Sequence, residues 1–196
     1  MKLVIVGKGM VASAFMRLSV QKTNLLIYAS GVSNSRCTDI RQFQREALLL
    51  DSTLQKKPLD KPLLYFSSCS IFDPELQATP YVIHKRDMEE LVMSRPNCHI
   101  IRMPQLIGPN APSTTLIEYL VTKIRAGETV EAWKNAYRNI LDVEDAARIV
   151  LGLFSGQRSE NSIINVANPD SISMPELIDN IERFLNLKAK KILVPK

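Results

Sequence analysis

The chain has 196 residues, of which 45% are hydrophobic and 23% are charged, enough for one domain of ordinary size or for a domain with a small additional lobe. No apolar run is long enough to span a bilayer, no signal-peptide pattern is present, and the cysteine spacing indicates neither a disulfide framework nor a metal site. The net charge of +5 comes from scattered Lys and Arg residues, which does not favour a nucleic-acid partner and is compatible with a phosphorylated small molecule. We therefore expect a cytoplasmic protein without a membrane partner.

A strand, a glycine turn and a helix open the chain. The apolar run over residues 2–6 is typical of a strand buried on both faces, and an apolar-periodic helix is predicted over residues 10 to about 20. Gly7, Gly9 and Ala12 lie at the turn between them. Glycines at such a turn let the backbone approach a pyrophosphate at the helix N-terminus. We favour this nucleotide-binding interpretation over a plain turn of a parallel α/β domain.

The next apolar run lacks the acidic residue that a dinucleotide site normally uses. It covers residues 24–29 and is followed by Ser30 and Gly31. The dinucleotide fingerprint expects an Asp or Glu about 20 residues beyond the glycine turn, where it binds the adenosine ribose. Either ribose recognition differs in this chain, or this run is not the usual second strand. The pattern does not distinguish NAD from NADP.

The rest of the chain alternates between predicted strands and helices. The predicted helices cover residues 39–54, 80–94, 115–126, 143–154 and 175–185, and the predicted strands cover residues 63–67, 99–103, 162–166 and 191–194. An irregular segment is expected around Trp133. This alternation predicts an α/β fold, a parallel sheet with helices on both faces, in which ligands bind beyond the carboxyl ends of the strands. The residues that follow the strands should converge on one crevice, namely Gly7, Ser30–Gly31, Ser67–Ser68 and Arg102–Pro104.

Three residues around the third predicted strand have the chemistry for proton transfer. Ser68 lies at the tip of the strand, and Tyr81 and Lys85 share one face of the next helix. A tyrosine hydroxyl ordinarily has a pKa near 10, which a neighbouring lysine cation lowers, and a serine hydroxyl can hydrogen-bond the reacting oxygen. The same spacing recurs at Tyr119 and Lys123, but no hydroxyl-tipped strand precedes that helix. We interpret the second pair as part of a packing or exposed face.

Four segments, taken in order, carry a resemblance to a known family. They are residues 7–12, residues 27–31, residues 65–72 together with 81–85, and residues 101–109 together with 138–147. This series resembles the extended short-chain dehydrogenase/reductase family of sugar-nucleotide epimerases, dehydratases and reductases. The resemblance implies a shortened Rossmann-like fold. Its nucleotide-binding core would cover residues 1–105 with about 139–166, and its small substrate-binding lobe residues 106–138 and 167–196.

The resemblance also implies a function. The chain would be an NAD(P)-dependent oxidoreductase or epimerase acting on a nucleotide-sugar in polysaccharide biosynthesis, with Tyr81 as the general acid/base assisted by Ser68 and Lys85. NAD or NADP would be the cofactor, bound by Gly7, Gly9, Met10, Val11, Ala29, Ser30, Gly31, Lys85 and Pro104. The substrate would be bound by Ser68, Ser70 and Arg138, the last at its diphosphate. The helix that carries Tyr81 would be one face of a homodimer.

Two departures from the family pattern support an alternative. The glycine turn is one residue shorter than usual, and the run at residues 24–29 matches the family's fourth strand rather than its second. The second and third strands, which normally hold the adenosine half of the cofactor, are therefore missing from the pattern. A non-catalytic relative that keeps the fold and acts as a binding or scaffold subunit is the alternative function.

Overall fold

The computed structural model describes residues 3–18, 24–56, 61–156 and 160–195. The helices and strands are, in chain order, β1 (Val4–Val6), α1 (Met10–Arg17), β2 (Leu26–Tyr28), α2 (Ile40–Lys56), β3 (Leu63–Ser68), α3 (Pro80–Met93), β4 (Cys98–Met103), β5 (Gln105–Ile107), α4 (Leu116–Arg125), β6 (Thr129–Trp133), β7 (Tyr137–Arg138), β8 (Ile140–Asp142), α5 (Val143–Leu153), β9 (Ser162–Asn165), β10 (Ile172–Ser173), α6 (Met174–Leu185) and β11 (Lys190–Val194). Residue 2 of the first predicted strand and residues 19 and 20 of the first predicted helix lie outside the described residues. No helix in the described part of the chain combines the length and the apolar content needed to cross a membrane.

Internal contacts divide the chain into two units. The first comprises residues 1–104 and 143–166, and the second comprises residues 105–142 and 167–196. Residues 105 and 139–142 were expected with the core, but they belong to the second unit, where β5 and β8 pair in parallel. The assignment of the units to cofactor and substrate binding stays a prediction.

A five-stranded parallel sheet forms the centre of the first unit, in the order β1-β2-β3-β4-β9. Leu26 of β2 lies opposite Val4 on one side and Leu63 on the other, and Leu63 in turn lies opposite Cys98. The strands are short apolar runs because helices cover both faces of the sheet. The predicted parallel α/β fold is confirmed.

The two faces of the sheet are covered by different helices. Successive side chains of a strand point to opposite faces of the sheet. Tyr65 and Phe66 of β3 therefore mark the two faces, and the helices that contact each of them cover that face. Phe66 lies against Phe15 of α1, with 5.5 Å between the ring centroids, and α5 packs beside α1. Tyr65 belongs instead to a buried cluster that includes Leu50 of α2 and Val92 of α3.

The connection through α1 has the opposite hand to those through α2 and α3. All three connections step in the same direction across the sheet, from β1 towards β4, yet α1 lies on one face and the other two helices lie on the opposite face. Parallel crossovers are right-handed in about 98% of cases, which makes the α1 connection the left-handed exception.

Only a short segment of chain separates α1 from β2. Residues 18–25 are too few for a further strand and helix with their crossover. In the described residues β1 consequently pairs with β2 alone and forms an edge of the sheet. The opposite hand of the α1 connection favours the second of the two interpretations that the sequence left open, in which the run at residues 24–29 is not the usual second strand.

The second unit is built on small sheets and two helices. Strands β6 and β11 pair in parallel, and β7 pairs antiparallel to β10. Helices α4 and α6 pack on β6 through a buried cluster that includes Leu120, Val130 and Ile178. The irregular segment predicted around Trp133 is wrong, because Trp133 is the last residue of β6. The side chains of β6 alternate between buried and exposed positions, but the strand forms by pairing with β11, which is distant in the sequence.

Candidate active site

The first glycine of the opening turn is required by packing between strands. Gly7 follows β1 with a φ of 134°, a conformation that side chains rarely adopt, and a Cβ there would lie 2.2 Å from the carbonyl oxygen of Ala29. Ala29 follows β2, and its amide donates to the carbonyl of Val6 at 2.8 Å. Gly7 and Ala29 are therefore in direct contact, and strand packing alone explains why position 7 is a glycine.

The second glycine has no such requirement. Gly9 is the N-cap residue of α1, and a Cβ there would meet no atom within 4 Å. Met10, the first residue of the helix, is buried, and Val11 is half-buried. Open space at Gly9 is compatible with the close approach of a ligand, so the predicted cofactor role of Gly9, Met10 and Val11 stays a prediction.

The loop after β2 lies beside the predicted catalytic lysine. The side-chain and carbonyl oxygens of Ser30 accept hydrogen bonds from Arg45 of α2 at 3.2 and 3.0 Å. A Cβ on Gly31 would lie 2.8 Å from Nζ of Lys85 and 2.9 Å from Oε1 of Glu46. The absence of a side chain at Gly31 thus gives the Lys85 ammonium its space, and the structure brings these two predicted site residues together.

Ser68 ends β3 and organises the turn that follows it. Its Oγ accepts a hydrogen bond from the amide of Ser70 at 3.1 Å, which caps the short 3-10 turn Cys69–Phe72. In the sheet Ser68 lies opposite Met103, the last residue of β4, and Pro104 directly follows Met103. Ser68, Ser70 and Pro104 therefore share the carboxyl ends of β3 and β4.

Tyr81 and Lys85 lie on the buried face of α3. Thr79 caps this helix by accepting a hydrogen bond from the amide of Val82, and Pro80 is its first residue. Tyr81 is 4% exposed and Lys85 is 2% exposed. The Lys85 ammonium is 5.9 Å from the centre of the Tyr81 ring. This geometry agrees with the shared face predicted from the spacing.

The second Tyr-x-x-x-Lys pair, Tyr119 and Lys123, has nearly the same geometry as the first. Nζ of Lys123 is 5.7 Å from the centre of the Tyr119 ring, a distance similar to that of the first pair. Tyr119 is 44% exposed, and Lys123 forms an ion pair with Glu128. Burial and contact with the loop after β2, rather than the spacing itself, distinguish the first pair.

The residue missed by the sequence interpretation is Glu46 of α2, which is fully buried. Its Oε1 accepts hydrogen bonds from Nζ of Lys85 at 2.9 Å and from the hydroxyl of Tyr65 at 2.7 Å. Its Oε2 accepts from the amide of Val32 at 2.6 Å and lies 3.0 Å from Nε2 of His84. One carboxylate therefore connects α2 with the loop after β2, with β3 and with α3.

Burial and hydrogen bonding act in opposite directions on this carboxylate. Burial alone raises the pKa of Glu46, but the contacts with His84, Lys85, Tyr65 and the Val32 amide outweigh it and lower the pKa to about 2. Glu46 is thus ionised at neutral pH and forms a buried ion pair with Lys85. The sequence did contain a signal, since Glu46 falls on the apolar helical stripe of α2 at the spacing of its buried residues, Phe43, Leu50 and Leu54.

Other reactive side chains near the site have structural roles. His84 is buried and stacks on Phe43 with 4.6 Å between the ring centroids. Burial raises the pKa of the Cys69 thiol, which does not favour a nucleophile. Within the described ranges, no group of three or more His, Cys, Asp and Glu side chains is arranged to hold a metal ion.

Residues 47–167, more than half of the 196, match the family described as the NAD dependent epimerase/dehydratase family. The chain belongs to this family. The resemblance deduced from the sequence motifs is confirmed. Among curated protein sequences, none matches the chain significantly.

Solved structures share the fold of this family member. MoeE5 in complex with UDP-glucose and NAD has a TM-score of 0.78 at 15% identity, over 98% of this chain and 84% of that chain. RMD from Pseudomonas aeruginosa complexed with NADPH has a TM-score of 0.77 at 18% identity, over 98% and 86%. A UDP-galactose 4-epimerase has a TM-score of 0.77 at 16% identity, over 99% and 86%. At these identities the likeness concerns the fold.

Arg138 of this epimerase/dehydratase family member lies in the second unit, whereas Ser68, Tyr81 and Lys85 lie in the first. It ends β7, its Nη1 donates to the carbonyl of Tyr137 at 2.8 Å, and it borders a cavity of 380 Å³. The acidic side chains of Asp170 and Glu176 border the same cavity. The predicted contact of Arg138 with a substrate diphosphate stays a prediction.

Proposed function

We propose that this chain is a nicotinamide-dependent oxidoreductase or epimerase of nucleotide-sugars that uses Tyr81 as its general acid/base. The observation that carries the proposal is the Lys85 ammonium, held in a buried position 5.9 Å from the centre of the Tyr81 ring and beside the loop after β2. Membership of an NAD dependent family supports the cofactor class. The UDP-sugars named with MoeE5 support the substrate class, and polysaccharide biosynthesis would be the context.

The residues present fit the nicotinamide half of the implied cofactor better than its adenosine half. Lys85 has three N–H donors, of which Glu46 and Tyr65 take two, so one is left for a ribose hydroxyl. Dinucleotides of this fold class lie across the crevice where the strand order reverses. In the described residues the order runs from β1 to β9 without reversal, so no second half-site faces β1.

In the proposed reaction each residue has one task. The bound nicotinamide would supply or accept the hydride at a sugar carbon. Tyr81 moves the matching proton at the oxygen of that carbon, and the Lys85 cation lies 5.9 Å from the centre of its ring. Ser68 hydrogen-bonds the same oxygen and keeps it next to the Tyr81 hydroxyl. Arg138 would bind the substrate diphosphate, and a homodimer through α3 stays a prediction.

Two observations favour the alternative, a non-catalytic binding or scaffold subunit. The charge of Lys85 is already balanced by Glu46 at 2.9 Å, and the sheet ends at β1 in the described residues. A relative that had lost its cofactor could keep this ion pair for stability alone. Such a subunit would bind a nucleotide-sugar, or another ligand, without any exchange of hydride.

Titration calorimetry and a turnover assay separate the two functions. The proposal expects NADH or NADPH to bind, and nicotinamide absorbance to change when a UDP-sugar or its keto form is added. Tyr81→Phe should abolish turnover with little loss of stability, because the ring and its packing remain. Tyr119→Phe is the matched control, with the same spacing to a lysine, and should keep full activity. Absence of heat with both cofactors would refute the proposal, and UDP-sugar binding alone would support the alternative.

A further inference from the structure

The arrangement around Glu46 points to a task beyond stability. We propose that Glu46 is a positioning residue. It holds the Lys85 ammonium 5.9 Å from the centre of the Tyr81 ring in the protein without ligand. The inference rests on the proposed function for its catalytic meaning. The position of the ammonium itself is a property of the protein without ligand and can be tested separately.

The ammonium is confined on several sides. A lysine side chain normally moves freely about its rotatable bonds, and fixing it in one position has an entropic cost. Here Nζ donates to Oε1 of Glu46 at 2.9 Å and to the hydroxyl of Tyr65 at 3.1 Å. The backbone of Gly31 lies close to the ammonium on another side, since a Cβ there would come within 2.8 Å of Nζ. The site is therefore assembled in advance, which is what a reacting group needs.

The carboxylate that fixes Lys85 is itself fixed from three structural elements. Val32, in the loop after β2, and Tyr65, in β3, donate to its two oxygens, and His84, in α3, contacts it as well. The hydroxyl of Tyr28 donates to the carbonyl of Glu46 at 3.0 Å and anchors the backbone of α2. A carboxylate held this way cannot follow Lys85 to a second position. Glu46 thus links the loop that contains Gly31 to the helix that contains Tyr81.

The charge of Glu46 has a separate effect from its shape. A buried cation needs a compensating anion, and Glu46 provides it at hydrogen-bond distance. Glu46→Gln keeps the size of the side chain and one oxygen for Lys85, but removes the negative charge. The variant should change the electrostatic field on Tyr81, a consequence that a purely structural role does not predict.

The test compares Glu46→Gln with Glu89→Gln. Glu89, also in unit one and one helical turn after Lys85, is a buried carboxylate paired with Arg102, so its replacement removes a similar buried charge that is paired with Arg102 and not with Lys85. Both variants should lose stability. Only Glu46→Gln should lower kcat, by about 100-fold, as expected for a small misplacement of a catalytic group, with KM much less affected. It should also displace the acidic limb of the kcat–pH profile, whereas Glu89→Gln should leave that profile in place.

A second measurement follows Lys85 directly. Nitrogen-15 NMR detects lysine ammonium groups whose protons exchange slowly because they are held in buried hydrogen bonds. The wild-type protein should show such a signal, assigned by its loss in Lys85→Met, and Glu46→Gln should lose or broaden it. If Glu46→Gln does not fold, Tyr65→Phe removes the other fixed contact of Nζ and should give the same changes at smaller size.

The outcomes separate the positioning role from the proposed function. A kcat loss in Glu46→Gln no larger than in Glu89→Gln, a loss found only in KM, or an unchanged Lys85 signal would each overturn the positioning role. Wild-type protein without turnover would refute the proposed function, and the NMR signal would then decide alone whether Glu46 fixes Lys85.

Discussion

The ionisation of Glu46 gives a quantitative prediction for stability against pH. Its pKa lies at about 2 in the folded chain, against an ordinary value of 4.5. Because the folded-state pKa is the lower one, the unfolded chain takes up the proton first, and the stabilisation is present above about pH 4.5 and is lost as the pH falls towards 2. A difference of roughly 2.5 units corresponds to about 3 kcal/mol of unfolding free energy.

Denaturant unfolding, followed by circular dichroism at a series of pH values, measures this contribution. Wild-type protein should lose about 3 kcal/mol more than Glu46→Gln between pH 5 and pH 2. Other carboxylates whose pKa is lowered, such as those of Asp179 and Glu182, titrate in both proteins and cancel in the comparison. Parallel stability curves for the two proteins over this range would refute the assignment of Glu46 as an ionised, buried partner of Lys85.

Two further predictions follow from the geometry. Gly31→Ala should lose about 1–3 kcal/mol, because its Cβ would crowd Nζ of Lys85 and Oε1 of Glu46, and thermal unfolding against the control Gly152→Ala, where a Cβ meets no atom within 4 Å, measures the difference. A Gly31→Ala variant as stable as the control would contradict the confinement of the ammonium. Reduced nicotinamide mononucleotide should bind within about threefold of NADH, since the described strands provide no adenosine half-site, and calorimetry showing a preference of about 100-fold for NADH would contradict this.

The local signals in the sequence predicted most of the first unit. The buried strands β3 and β4 are unbroken apolar runs, and Thr79 with Pro80 correctly indicated where α3 begins. The common face of Tyr81 and Lys85 follows from helical spacing alone. These features depend on residues that are close together in the chain, which is why they could be deduced without a structure.

Features that depend on distant residues could not be deduced in the same way. The left-handed connection through α1 depends on which face α1 covers, which its own residues do not specify. Strand β6 requires β11 as its partner, so Trp133 was placed in an irregular segment. The role of Glu46 depends on Lys85, which is 39 positions away in the sequence. The position of Glu46 on the apolar stripe of α2 was the available signal. That pattern indicates that the side chain is buried, but it does not indicate which residue pairs with it.

The central claim is that Tyr81 transfers a proton while hydride moves between a nicotinamide and a nucleotide-sugar. The most direct test is transfer of deuterium from labelled reduced cofactor to the keto form of a UDP-sugar, followed by mass spectrometry. Wild-type protein and Tyr119→Phe should place deuterium in the sugar product, and Tyr81→Phe should place none. Transfer that persists in Tyr81→Phe, or that is absent from wild-type protein which binds both ligands, would contradict the claim.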